Sequence, residues 1–125
     1  MTKAQDIIDS KETEANDRLK QNVQFWIDLI SKGKHDFELE EDEDLLGYLE
    51  HNQIMDIKYV IDHNYDYVGC QLLVAFGGPN IWIDTQGQQV KGYWWGDNII
   101  WNYYTDSIGL DNYFQEIYEC SKPSC

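Results

Sequence analysis

The sequence predicts an α+β domain: an antiparallel sheet of four to five strands with a long N-terminal helix and a C-terminal helix. Three observations carry that prediction. Apolar and polar residues alternate through short runs between Tyr67 and Tyr104, and apolar residues recur at spacings of three, four and seven before Gly33. The same helical spacing returns after Asp106. At 125 residues the chain reads as a single domain over 1–125 with one core, divided into 1–34, 35–66 and 67–125.

Residues 3–32 read as one amphipathic helix. Ala4, Ile7 and Ile8 open its stripe, and Ala15, Leu19, Val23, Trp26, Ile27 and Ile30 continue it. Lys11 and Glu12 interrupt the stripe, so the first turns are anchored less firmly than the rest. Gly33 is the expected C-cap. Acidic and basic residues balance over 1–34, which suits a helix that packs on a core, or a stripe that pairs with a second copy.

The whole net charge of −14 therefore falls in 35–125, where 17 acidic residues face Lys58, Lys91 and Lys122. It is densest early, where Asp36, Glu38, Glu40, Glu41, Asp42, Glu43 and Asp44 follow almost without a break. Such a surface repels nucleic acid and anionic membrane and attracts basic surfaces. Solubility alone is the plainer reading of an acidic chain, but the concentration of charge in one stretch points to a contact. Asp44–Leu49 reads as a short helix whose preceding carboxylates suit its dipole. Ile54–Asp62 reads as an edge strand with Met55, Ile57, Tyr59 and Ile61 inward.

The remaining strands are read as Tyr67–Phe76, Asn80–Thr85, Val90–Trp95 and Asn98–Tyr104, separated by Gly77-Gly78-Pro79-Asn80, Gln86-Gly87-Gln88 and Gly96-Asp97-Asn98. Val68, Cys70, Leu72, Val74 and Phe76 share one face of the first. If Ile81, Ile83, Val90, Trp94, Ile99, Trp101 and Tyr103 join them in the core, Trp82, Tyr93, Trp95 and Tyr104 collect on the other face. Either a helix covers that face or it is an exposed aromatic surface for a partner or ligand. Asp106–Cys120 reads as the C-terminal helix, with Asp106 as N-cap and Pro123 beyond its end.

No catalytic motif is present, and the expectation is a protein that is not an enzyme and holds no cofactor. Asp62-His63-Asn64-Tyr65-Asp66 opens like a calcium loop, but Tyr67 and Leu73 stand where that loop needs glycine and glutamate. It reads as an Asx turn. His35, His51 and His63 lack zinc-ligand spacing to one another or to Cys120 and Cys125. No histidine neighbours a cysteine in sequence, no G-x-S-x-G occurs, and the Gly77-Gly78 turn lacks the lysine of a phosphate loop. The N-terminus shows no export signal and no apolar run approaches ~20 residues, so the expectation is a cytoplasmic protein with reduced thiols.

Gly77-Gly78-Pro79-Asn80-Ile81-Trp82, then Gly92-Tyr93-Trp94-Trp95-Gly96-Asp97, then the acidic-aromatic run Asp111–Glu119, resemble small acidic proteins encoded by phages and mobile elements of bacteria. Some of those are anti-CRISPR or antirestriction inhibitors, and the resemblance spans roughly 72–119. It implies an inhibitor that binds a basic, nucleic-acid-binding defence enzyme in the bacterial cytoplasm, without attaching a role to any residue. Independently, Asp36–Asp44 with Trp82, Tyr93 and Trp95 are the expected partner-binding residues. The alternatives are an acidic immunity or antitoxin-like protein, or a glycan-binding domain using the exposed tryptophans and tyrosine. A homodimer is compatible with each.

Overall fold

The computed structural model describes residues 3–122, with side chains from Asn16 to Lys122. Ala4, Ile7, Ile8 and Ala15 of the helical stripe fall outside the described side chains, and Pro123 and Cys125 outside the described residues.

The architecture is α+β. Helix α1 (Lys3–Lys32) leads through an extended segment to a single turn, α2 (Leu45–Tyr48), which runs directly into a π-helical turn at Leu49–Gln53. Five strands follow, β1 (Asp56–Ile61), β2 (Tyr67–Ala75), β3 (Asn80–Asp84), β4 (Gln89–Trp94) and β5 (Asp97–Asn102), and then α3 (Leu110–Ser121). The sheet is a simple antiparallel meander in the order β1-β2-β3-β4-β5. Short turns between consecutive strands dictate that order, since only antiparallel neighbours can be joined so tightly.

Both helices pack on one face. On α1, Leu19, Val23, Leu29 and Ile30 are fully buried and Trp26 nearly so, against Ile81, Ile83, Val90 and Ile99 of the sheet. Leu29 is a core residue that lies outside the stripe read from spacing. The helix approaches closely over β4 because Gly92 lies there: a Cβ on it would sit 2.8 Å from Leu19 Cδ1 and Val23 Cγ2. Helix α3 packs over β2, burying Leu110 and Phe114 in the core, and meets β1 through the Tyr118 ring, 5.3 Å from that of Tyr59. Burial of each such side chain is worth ~1.5–3 kcal/mol, so packing rather than propensity holds the helices.

Caps fix the helix ends. Gly33, at φ 69°, ends α1 and donates its N–H to Leu29 O, while Ser107 donates both N–H and hydroxyl to Ile30 O. Asp106 caps α3 from further back than the sequence suggested: Oδ1 accepts from Leu110 N–H and Oδ2 from Asp111 N–H. The helix starts at Leu110, because Ser107 and Ile108 form a turn and Gly109 takes a left-handed φ of 73°. The Asp62–Asp66 connection is the expected Asx turn, with Asp62 Oδ1 accepting from Asn64 and Asp66 N–H.

Two irregularities change which side chains face inward. Register shifts fall between Val60 and Ile61 and between Leu73 and Ala75. Ile61, Val68 and Phe76, expected inside, are exposed, as is Met55 ahead of β1. Cys70, Leu72 and Val74 keep the predicted inward face, with Ile57 and Tyr59 partly buried beside them. Trp95 is not a strand residue: Trp95 and Gly96 form the two-residue β4–β5 turn, with φ 55° and 77°. Positive φ at both positions is what a primed hairpin turn needs.

Candidate functional site

Two surfaces hold the residues that the sequence singled out. The first is the extended segment 33–44. His35, Phe37 and Leu39 turn inward while Asp36, Glu38 and Glu40 are exposed between them, so the alternation of a strand persists in a segment that pairs with none. Phe37 is the anchor. Its ring lies 5.6 Å from Phe25 and 6.5 Å from Trp26 on α1, and 5.0 Å from Tyr48 on α2, centroid to centroid. His35 stacks on it at 5.6 Å and accepts the Phe37 N–H through Nδ1.

A tight turn ends the segment. Glu43 N–H donates to Glu40 O, and Glu43 Oε1 accepts the Glu40 N–H at 3.2 Å. Asp44 caps α2, its Oδ1 accepting from Gly47 N–H at 2.8 Å. The seven predicted carboxylates thus divide by role. Asp36, Glu38, Glu40, Glu41 and Asp42 are exposed at the surface, whereas Glu43 and Asp44 also hold the backbone. Alternate residues of extended chain are ~6.6 Å apart, so Asp36, Glu38 and Glu40 present charge at regular intervals along one line.

The second surface is the outer face of the sheet. Among the described residues no element covers it, since α1 and α3 both lie on the inner face. The strand register places Asp56, Leu73, Trp82, Lys91 and Ile100 in one row across it. Lys58, Gln71, Asp84, Gln89 and Asn102 form the next row. Lys58 Nζ sits 4.9 Å from the Trp82 ring centroid, and Lys91 pairs with Asp84 at 3.4 Å. Tyr93 is 39% exposed beside them, and with Lys58, Gln71, Trp82, Asp84 and Lys91 it lines a depression of about 280 Å³. Trp95, 63% exposed, stands at the hairpin tip at the end of the sheet, and Tyr104, 84% exposed, lies past the opposite end of β5.

The structure brings Trp82 and Tyr93 together and brings Asp36, Glu38 and Glu40 together, but not the two groups. The acidic segment lies in the helix layer, against α1 and α2, with the sheet between it and the outer face. The outer face also differs in charge, holding two of the three lysines of residues 35–125. Sequence reasoning missed the aromatic bed under the acidic segment. Its signal was the interleaving of His35, Phe37 and Leu39 with the carboxylates.

Burial moves several titrating groups. Desolvation raises Tyr67 well above the usual tyrosine range, assisted by hydrogen bonding with Cys70 and with Asp111, whose Oδ1 accepts its hydroxyl at 2.7 Å. Tyr103 is raised chiefly by burial. Tyr113 is pushed up to about 12, by burial first and then by its 2.6 Å hydrogen bond to Glu50. Cys70 is fully buried, its thiol raised by desolvation, while Cys120 is exposed. Among the described residues, no three His, Cys, Asp or Glu side chains gather as they would around a metal ion, and no helix is long and apolar enough to cross a membrane. Comparison with protein-family models, with curated proteins and with solved structures gives no match to this chain.

Proposed function

We propose that this chain is a non-enzymatic, protein-binding inhibitor whose exposed acidic segment engages a basic, nucleic-acid-binding protein, of the kind that anti-CRISPR and antirestriction proteins oppose. The observation that supports this is the line of Asp36, Glu38 and Glu40 on a segment whose opposite side is seated on Phe25, Trp26 and Tyr48. A free acidic tail loses conformational entropy, ~1–2 kcal/mol per residue, when a partner orders it. A segment already ordered escapes most of that cost, as does any preorganised ligand. Duplex DNA carries one charge per ~1.7 Å of axis, and a groove built for it meets a rigid row of carboxylates as a competitor. The chain itself binds no nucleic acid in this reading.

The test is affinity capture from a bacterial lysate, repeated with duplex DNA as competitor and with Glu38, Glu40, Glu41 and Asp42 changed to lysine. The expected result is one dominant nucleic-acid-binding partner, displaced by DNA and lost with the reversed segment. A partner retained through both changes overturns the reading. An immunity or antitoxin protein shares these physics and differs in its target, so the identity of the captured protein separates the two.

The outer face favours a second reading, in which Trp82 and Tyr93 stack on a sugar ring while Gln71, Asp84 and Lys91 bond its hydroxyls. Tryptophan fluorescence titrated with a glycan panel tests it. A saturable shift lost in Trp82→Ala supports glycan binding, and a flat response across the panel removes it.

A further inference from the structure

A second concavity opens where α1 meets the start of the acidic segment. It measures about 370 Å³ and is lined by Gln24, Phe25 and Asp28 from α1 and by Lys34, His35 and Asp36 from the segment. That volume is in the lower part of the ~300–1,000 Å³ range of ligand pockets. We propose that this pocket receives a guanidinium group, and that it gives the acidic segment a preference for arginine over lysine. The inference rests on the reading of the segment as a protein-binding surface and names the side chain it selects.

Three features of the lining point to that chemistry. The pocket wall is mostly apolar, with the half-buried Phe25 ring among it. A guanidinium is weakly hydrated and stacks on aromatic rings, whereas an ammonium gives up more hydration on entering such a wall. An acidic residue from each element belongs to the lining, Asp28 from the helix and Asp36 from the segment. A planar donor fork can bond a carboxylate with two parallel N–H groups, which a single ammonium cannot do in the same way.

The third feature is fixed geometry. Gln24 and Asp28 are one helical turn apart, and the Gln24 amide donates to Asp28 Oδ1 at 2.9 Å. The Lys32 ammonium also meets Oδ1, at 3.9 Å, so both intramolecular contacts use the same carboxylate oxygen. Across the pocket, stacking on Phe37 and the hydrogen bond from its N–H hold the His35 ring in place. Lys34 is a cation within the lining and opposes an incoming one, which gives the proposal a sign to test.

The experiment is calorimetric titration of the full chain with hexa-arginine and with hexa-lysine at low salt. The readout is the ratio of the two affinities, because net charge alone moves both together. The parent binds hexa-arginine about tenfold more tightly than hexa-lysine, and Asp28→Asn or Asp36→Asn brings the ratio close to one. Lys34→Gln strengthens hexa-arginine binding. Glu40→Gln with Glu41→Gln, outside the pocket, weakens both ligands and keeps the ratio. A parent ratio near one, or a ratio indifferent to both aspartate substitutions, overturns the pocket. If Glu40→Gln with Glu41→Gln still weakens both ligands in that case, the acidic segment survives as a charge surface; if neither ligand responds to any variant, both readings fall together. Free arginine methyl ester separates the two sources of a guanidinium. Binding comparable to one residue of the peptide indicates a small-molecule site, and binding only in the peptide indicates a protein partner.

Discussion

Phe37→Ala removes the anchor of the acidic segment without touching a carboxylate. Fully burying a phenylalanine side chain is worth roughly 3 kcal/mol. Phe37 is half-buried, so about half of that is at stake. Its ring contacts with Phe25, His35 and Tyr48 add about 1 kcal/mol. The expected loss of ~2–3 kcal/mol lowers the unfolding midpoint of a chain this size by about 6–15 °C. Calorimetry measures that, and hydrogen exchange locates it. The Phe37, Glu40 and Glu43 amides, bonded to His35 Nδ1, Glu43 Oε1 and Glu40 O, lose protection while the sheet amides keep theirs. Partner affinity then falls although every charge remains, because binding must now order the segment. An unchanged midpoint with unchanged protection at those three amides would falsify the anchoring argument and with it the fixed line of charge.

Three further outcomes follow from the packing. Gly69→Ala costs about 3 kcal/mol and Gly92→Ala about 1–2 kcal/mol in urea denaturation. At Gly69 the added Cβ meets backbone, 2.9 Å from Gln86 N, whereas at Gly92 it meets the side-chain ends of Leu19 and Val23; equal costs would contradict that distinction. With a thiol reagent under native conditions Cys120 reacts quickly and Cys70 only on unfolding; fast modification of Cys70 would mean that the core opens. Tyr67, Tyr103 and Tyr113 have folded values raised above 10, so the stability they lend is complete below about pH 10 and is lost as pH climbs toward their folded values. Tyrosinate absorbance should therefore show these residues ionising late, together with unfolding. Ionisation of all nine tyrosines near pH 10 in the folded state would refute the burial assigned to them.

The sheet was legible because its strands are short, alternating and punctuated by glycine, so each strand limit moved by only a residue or two. Alternation lost its meaning at the bulges. Ile61 and Phe76 continue the pattern in sequence, but a register shift precedes each, and a single extra residue turns a side chain to the opposite face. Trp95 reads as the last residue of a strand, since nothing in the identity of a tryptophan announces a left-handed turn position. The π-helical turn Leu49–Gln53 has no signature of its own in the sequence, and its one buried residue is Leu49. Which face the helices share is also absent from local pattern: α1 and α3 each display an apolar stripe, and the close approach at Gly92 and the burial of Leu110 and Phe114 in the core put both on one side. In the acidic segment the charge was plain from composition. That it is held in line by Phe37 showed only as the alternation of His35, Phe37 and Leu39 with the carboxylates, which does not name the rings of α1 and α2 that seat it.

The central claim is that this held line of charge steers a basic partner. Its most direct test is surface plasmon resonance of the captured partner against the parent chain and against a variant with Glu38, Glu40, Glu41 and Asp42 changed to lysine. Glu43 and Asp44 are left alone because their carboxylates bond the backbone. The account predicts an association rate at low salt at least about tenfold slower for the variant, with its thermal midpoint preserved. It also predicts that the parent's own rate drops as salt is raised, since exposed charges are screened beyond ~8 Å at physiological ionic strength. A variant that associates as fast as the parent at low salt contradicts it.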